Sequence, residues 1–235
     1  MRKIQLKQVL RNKRFVLFTI ILPIGWYIFF YHLQKGISPS ILLGIAVFIG
    51  VIGNSLATFS KRIASDIGFY SFESHFTSYS VKNYLWDQSI VQLILNSLIF
   101  LAVLVVAVLG FHFPVTTSLL VQFFLLSLMG IYFSVIGFVL GVRVDAKTID
   151  TIGFPVIILA AMTIIPFDTL GASGGFMDLV GKLQRVFPGY YYTKLIQDLT
   201  EKQTIDATQL ALFVAVFGLN LLFFYLLVPK GKMGN

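Results

Sequence analysis

Cysteine is absent from the 235 residues, and charged side chains make up only 12% of them. The first absence removes disulfides, thiolate catalysis and Cys-ligated metal. The second, beside 57% hydrophobic residues and a mean hydropathy of +0.87, excludes a soluble domain of this length. A phosphate-binding loop of the form G-x-x-x-x-G-K-[ST] is also missing: Gly181 and Lys182 are followed by Leu183, so the chain has no such route to ATP. Histidine is sparse, and His32, His75 and His112 stand far apart. Neither an H-E-x-x-H metal arrangement nor a Ser-His-Asp order can be assembled locally.

What is present is long apolar sequence. Six runs carry no charge, spanning 15–33, 40–60, 88–111, 117–142, 151–167 and 207–229. About 20 apolar residues cross a hydrocarbon core, and all but the fifth run reach or approach that length. Strands of a membrane barrel are about 10 residues long and alternate in polarity, so these runs predict helices. The expected fold is an all-α integral membrane protein of six spans forming one membrane domain over 1–235. The first run follows a basic segment, but it is too long for a signal h-region and leads into Tyr31, His32, Leu33 and Gln34 rather than a cleavage site, so it reads as a retained span.

Charge sets the expected orientation. With both termini inside, the inner segments hold Arg2, Lys3, Lys7, Arg11, Lys13, Arg14, Lys61, Arg62, Lys82, Arg143, Lys147, Lys230 and Lys232, most of the 18 basic residues. The net charge of +8 is then mainly a positive-inside signal. Nucleic-acid binding would need a basic face on a folded soluble domain, and it is not expected.

Five segments outside the runs carry further signals. Residues 1–14, with Leu6, Val9 and Leu10 at helical spacing, suit either a short interfacial helix or a plain basic flank. Breakers at Lys35, Gly36, Ser38 and Pro39, and at Pro114, mark tight outer turns. In the inner segment 61–87, Phe69, Phe72, Phe76 and Tyr79 form one helical stripe containing Glu73. The stripe is either a docking face or an aromatic anchor at headgroup level. In 168–206, Phe176, Leu179, Val180, Leu183 and Phe187 share a face, Pro188 and Gly189 break the helix, and Tyr192, Leu195, Ile196 and Leu199 form a second face. Each helix is too short to span, so the pair predicts a helical hairpin at or dipping into the outer leaflet.

The polar groups inside the runs are amides, Asn54, Gln92, Asn96, Gln122 and Asn220, rather than the buried acids of a proton- or sodium-coupled pump. They read either as interhelical hydrogen-bond partners, worth about 1 kcal/mol each, or as contacts along a substrate path. Gly130 with Ser134 and Gly137 with Gly141 place small residues on a packing face of the fourth span.

Together, the basic inner segment, six spans, inner helix and paired short helices before the last span resemble the membrane subunit of ABC-2 type transporters. The stretch from Glu73 to Leu85, ESHFTSYSVKNYL, is similar to the family's segment leading into the third span, with Ser78 where the family often has a proline. Val186, Phe187 and Pro188, after the first outer hairpin helix, add to the resemblance. The resemblance covers essentially the whole chain. It implies a non-enzymatic permease that pairs with a second copy of itself or a similar subunit and binds a separate ABC ATPase, which supplies ATP and Mg chemistry; this chain binds no cofactor or metal of its own. It also implies that Phe69, Phe72, Glu73, Phe76 and Tyr79 form the ATPase-coupling helix.

The expected function is therefore ATP-driven export of a hydrophobic or amphipathic molecule, such as a peptide, an antimicrobial or a lipid-like compound, across a bacterial plasma membrane. The alternative is an immunity or scaffold protein that sequesters a peptide without ATP. An intramembrane enzyme would need a cluster of titratable groups that the sequence does not offer.

Overall fold

A computed structural model describes residues 7, 11, 13–33, 37–73, 81–165, 167, 174–201 and 204–227. Among these there are helices and turns but no strand. Helix α1 runs through Lys13–Val16, a π-helical turn at Leu17–Ile21, and Leu22–Leu33. Helix α2 runs through Pro39–Gly53, a second π-helical turn at Asn54–Phe59, and Ser60–Glu73. Then follow α3 (Val81–Phe111), α4 (Ser118–Arg143), α5 (Ala146–Met162), α6 (Gly175–Gln184), α7 (Pro188–Glu201) and α8 (Ala207–Leu226).

Helix starts follow local chemistry. Pro39 opens α2 after an extended Ser38, where its missing N–H costs nothing. Asp206 caps α8 by accepting from the Thr208 amide at 2.8 Å, and Asp145 caps α5 by accepting from the amides of Lys147 and Thr148, each at 3.0 Å. The Thr148 hydroxyl also donates to Asp145, at 2.6 Å. That bond, followed by the Thr148 amide, holds the Asp145 carboxyl below its usual range. Because the folded value is depressed, the cap contributes above the ordinary carboxyl value of about 3.9 and is lost as pH falls through the lower folded one. Acidification through that window should speed amide exchange at 146–150 beyond its intrinsic pH dependence, and Asp145→Ala should remove the excess.

Among the described residues, four helical stretches are long and apolar enough to cross a membrane: Pro39–Gly68 in α2, Trp86–Phe111 in α3, Ser118–Arg143 in α4, and α8. The other two expected spans are shorter as helices. In α1 the apolar part is Thr19–Leu33, and α5 stops at Met162, where the apolar run continues to 167.

Helix α2 is the axis of the bundle. Of its most apolar window 83% is buried inside the protein, against 6% for α8, which lies on the outside. The core forms around Leu43, Val47, Ile52 and Leu56 of α2, with Ile99 and Val103 of α3 and Met129 and Phe133 of α4. Phe48 sets its ring edge-to-face on Phe133 and Tyr192, centroids 6.4 and 4.6 Å away. Small residues bring α4 against α2, as the glycine spacing predicts. A Cβ on Gly141 would lie 2.5 Å from the Ser60 carbonyl oxygen, and one on Gly137 would overlap the carbonyl oxygen of Ser55.

The helical stretch 61–73 is a continuation of α2, and α3 begins at Val81. Most of the inner segment 61–87 is thus the ends of two long helices, with the described chain leaving off between them.

Candidate functional site: an amide cluster, a sunken hairpin and an apolar cavity

Three of the five amides expected on a substrate path come together. Asn54 opens the π-helical turn of α2, and Gln92 and Asn96 stand one turn apart on α3, hence on the same face. Asn96 Oδ1 accepts from Asn54 Nδ2 at 3.4 Å and from Gln92 Nε2 at 3.3 Å. Gln92 Nε2 also donates to Ser55 Oγ, at 3.2 Å. Ser134 of α4 donates to the Gly130 carbonyl at 2.6 Å, so across the 3.5 Å between hydroxyls Ser55 is the donor to Ser134. Gly130 makes room, since a Cβ there would lie 2.5 Å from Asn96 Nδ2.

This cluster is buried but only partly satisfied. Asn54 Oδ1, Gln92 Oε1 and Asn96 Nδ2 have no partner. Turning all three amides over exchanges donors for acceptors and leaves the same three positions unpaired. Wide π turns recur at functional sites, and this one sends Ser55 into the cluster while Leu56 lines the cavity described below.

The other two amides serve a different element. Gln122 donates to the Ser40 carbonyl at 2.7 Å and meets the Tyr192 hydroxyl at 3.5 Å. Asn220 donates to the Val186 carbonyl at 2.9 Å and accepts from the Tyr132 hydroxyl at 3.3 Å. Both therefore tie the α6–α7 hairpin to the long helices. Asn220 stands thirteen residues past Ala207, about 20 Å along α8. Ile164, beneath Gly189, packs beside Ile45 and Phe48 of α2, about 9–14 Å along that helix from Pro39. The hairpin turn thus sits well below the ends of its neighbours.

Of the expected hairpin residues, Pro188, Tyr192 and Leu195 are buried, Phe187 is half-buried, and Leu183 is exposed along its outer edge. The Phe176 side chain lies outside the described residues. Two polar residues that the apolar pattern passes over hold the turn in place. Gln184 Nε2 donates to the carbonyls of Met162 and Ile165 at 2.7 and 2.8 Å, and Thr193 Oγ1 reaches the Ile164 carbonyl at 3.2 Å. These are carbonyls that the end of α5 leaves without intrahelical partners. The sequence signal for Gln184 is a lone amide beside the apolar face of Val180, Leu183 and Phe187. Gln184→Leu should strand two carbonyls and lower stability by about 1–2 kcal/mol, read as a lower Tm in detergent and as faster amide exchange across 175–201.

Beside the hairpin lies an apolar cavity of about 390 Å³. Leu56, Phe133 and Ile136 form its back, Val156 and Leu159 of α5 one side, and Val180, Leu183 and Phe187 the other, with Phe224 of α8 below.

The expected coupling residues are placed only in part. The backbone of Phe69, Phe72 and Glu73 forms the last turns of α2, their side chains lie outside the described part, and Phe76 and Tyr79 lie outside it altogether. Nearby, Lys61 of α2 pairs with Asp150 of α5, and Arg143 Nε donates to the Leu227 carbonyl at 2.6 Å. The exposed ion pair positions α5 against α2 but is worth little in stability.

Among the described residues these elements give a helical chain with four helices of membrane-crossing length and apolarity, and with two short helices between α5 and α8. The chain matches no protein-family model, no curated protein and no solved structure.

Proposed function

We propose that the chain is the permease subunit of an ATP-driven ABC-2 type exporter, moving a hydrophobic or amphipathic molecule outward. The observation that carries this reading is the pair α6 and α7, each too short to span, yet tied at Val186 to Asn220, about 20 Å along α8 from Ala207. A hairpin entering from the outer side gives two such subunits movable short helices along a shared pathway, where full spans would be locked by the bilayer. In this reading α1, α2, α3, α4, α5 and α8 are six spans, both termini lie in the cytoplasm, and the chain sits in the plasma membrane as a homodimer or a pair of similar subunits.

The end of α2 and the start of α3 then form the cytoplasmic contact to the ATPase, with Phe69, Phe72, Glu73, Phe76 and Tyr79 as the docking face. The aromatic spacing supports this, because buried aromatics dominate interface energetics. Removing such an anchor typically costs about 2 kcal/mol or more, roughly thirtyfold in affinity. Phe72→Asp and Phe76→Asp should therefore insert normally while recovery of the ATPase falls at least tenfold. Equal recovery with both variants would remove the docking assignment.

The amide cluster fits better as a fastener between α2, α3 and α4 than as a substrate contact, because its members are buried against one another. The apolar cavity, by contrast, supports an apolar cargo.

A further inference from the structure

We propose that the cavity beside the hairpin holds a single alkyl chain of a bilayer amphiphile, which enters sideways between α5 and α6. At its rim Leu159 and Leu183 are 65% and 57% exposed, and on α6 the face of Leu183 continues as Leu179, also exposed. Apolar rims of this kind mark faces that meet a membrane or another protein, and on this proposal the medium at the opening is lipid.

The lining selects the occupant. Its polar members have committed their donors: the Tyr132 hydroxyl to Asn220, the Thr163 hydroxyl to the Ala160 carbonyl at 2.7 Å, and the Gln184 amide to the end of α5. Among the described lining residues no donor is left to receive a headgroup or a peptide carbonyl. A polypeptide segment would bring backbone groups that this wall cannot satisfy. A helix from a second copy, about 10–12 Å across, would lie over the mouth rather than fill the space of about 390 Å³. An alkyl chain is narrow and has no polar group to satisfy, and the volume lies within the range of small-ligand sites. The headgroup stays outside the rim. The site rests on bilayer embedding alone; on the exporter reading it makes a tail-bearing amphiphile the cargo.

The test uses the full chain in phosphatidylcholine vesicles doped with a phospholipid carrying a diazirine near the end of one tail. After irradiation, the labelled positions are mapped by peptide mass spectrometry. Ile136, on the back wall, should be labelled along with the outward Leu219 and Leu222 of α8. Ala160 also lines the cavity, and Ala160→Trp should fill it and reduce labelling at Ile136 at least fivefold while leaving Leu219 and Leu222 unchanged. Val156→Phe, a smaller change, should give a partial reduction and serves if the first variant does not fold. Labelling of α8 without Ile136, or labelling of Ile136 that neither folded filling variant reduces, would overturn the proposal. No ATPase takes part, so either result leaves the exporter reading to its own test.

Discussion

Gly137→Leu is expected to prevent folding, and Gly137→Ala to cost about 3 kcal/mol or more, the upper end of overpacking penalties. At this position backbone meets backbone. A Cβ would overlap the carbonyl oxygen of Ser55, within the π-helical turn of the bundle's most buried helix. A flexible side chain could swing aside, but a carbonyl held in a helix moves only with its helix. One turn on, Gly141 repeats the constraint, with a Cβ 2.5 Å from the Ser60 carbonyl and 2.7 Å from Ile63 Cβ. Separating α4 from α2 at either point would strip contacts from the core around Leu56, Phe133 and Met129. Gly218 of α8 supplies the control, since a Cβ there meets nothing within 4 Å. Gly218→Ala should be neutral or slightly stabilising, as expected for an exposed helical glycine. Thermal unfolding in detergent compares the variants directly, and equal Tm values for Gly137→Ala and Gly218→Ala would contradict the packing described.

Asn96→Leu is expected to destabilise by about 1–3 kcal/mol, because it strands the buried Asn54 amide and takes one of two acceptors from Gln92, which keeps Ser55. Both Asn54 and Gln92 use Asn96 Oδ1 as their shared acceptor. The combined variant Asn54→Leu, Gln92→Leu, Asn96→Leu should behave differently. It removes the polar groups together, including the three atoms that have no partner in the folded chain. Replacing a partly satisfied buried network by apolar side chains is often neutral or stabilising. Its Tm should therefore recover to near that of the natural sequence. If the cluster is a fastener, transport by the triple variant should survive; a stable triple variant without transport would make the amides substrate contacts instead.

Much of the fold was legible because apolar runs translate directly into helices. The runs 88–111, 117–142 and 207–229 lie within or nearly coincide with α3, α4 and α8. The two short helices were legible too. The break at Pro188 and Gly189 falls where α7 begins, and the face of Tyr192, Leu195 and Ile196 is the buried one. The π turns at Leu17–Ile21 and Asn54–Phe59 were not, because apolar composition is the same whichever hydrogen-bond register the backbone adopts. The early end of α5 was not legible either. It depends on Gln184 and Thr193, about 20–30 residues further on, taking its last carbonyls, a tertiary effect without a local signature. Among the amides, the pairing of Gln92 with Asn96 follows from their spacing of four. That Gln122 and Asn220 would instead hold the hairpin required knowing how deep it sits.

The most direct test of the central claim is purification of the chain from its native membrane in mild detergent, with identification and quantification of whatever remains bound. The permease reading predicts an ATPase carrying a phosphate-binding loop in equal amount, lost in Phe72→Asp. An intact, folded chain recovered without any such ATPase would contradict it.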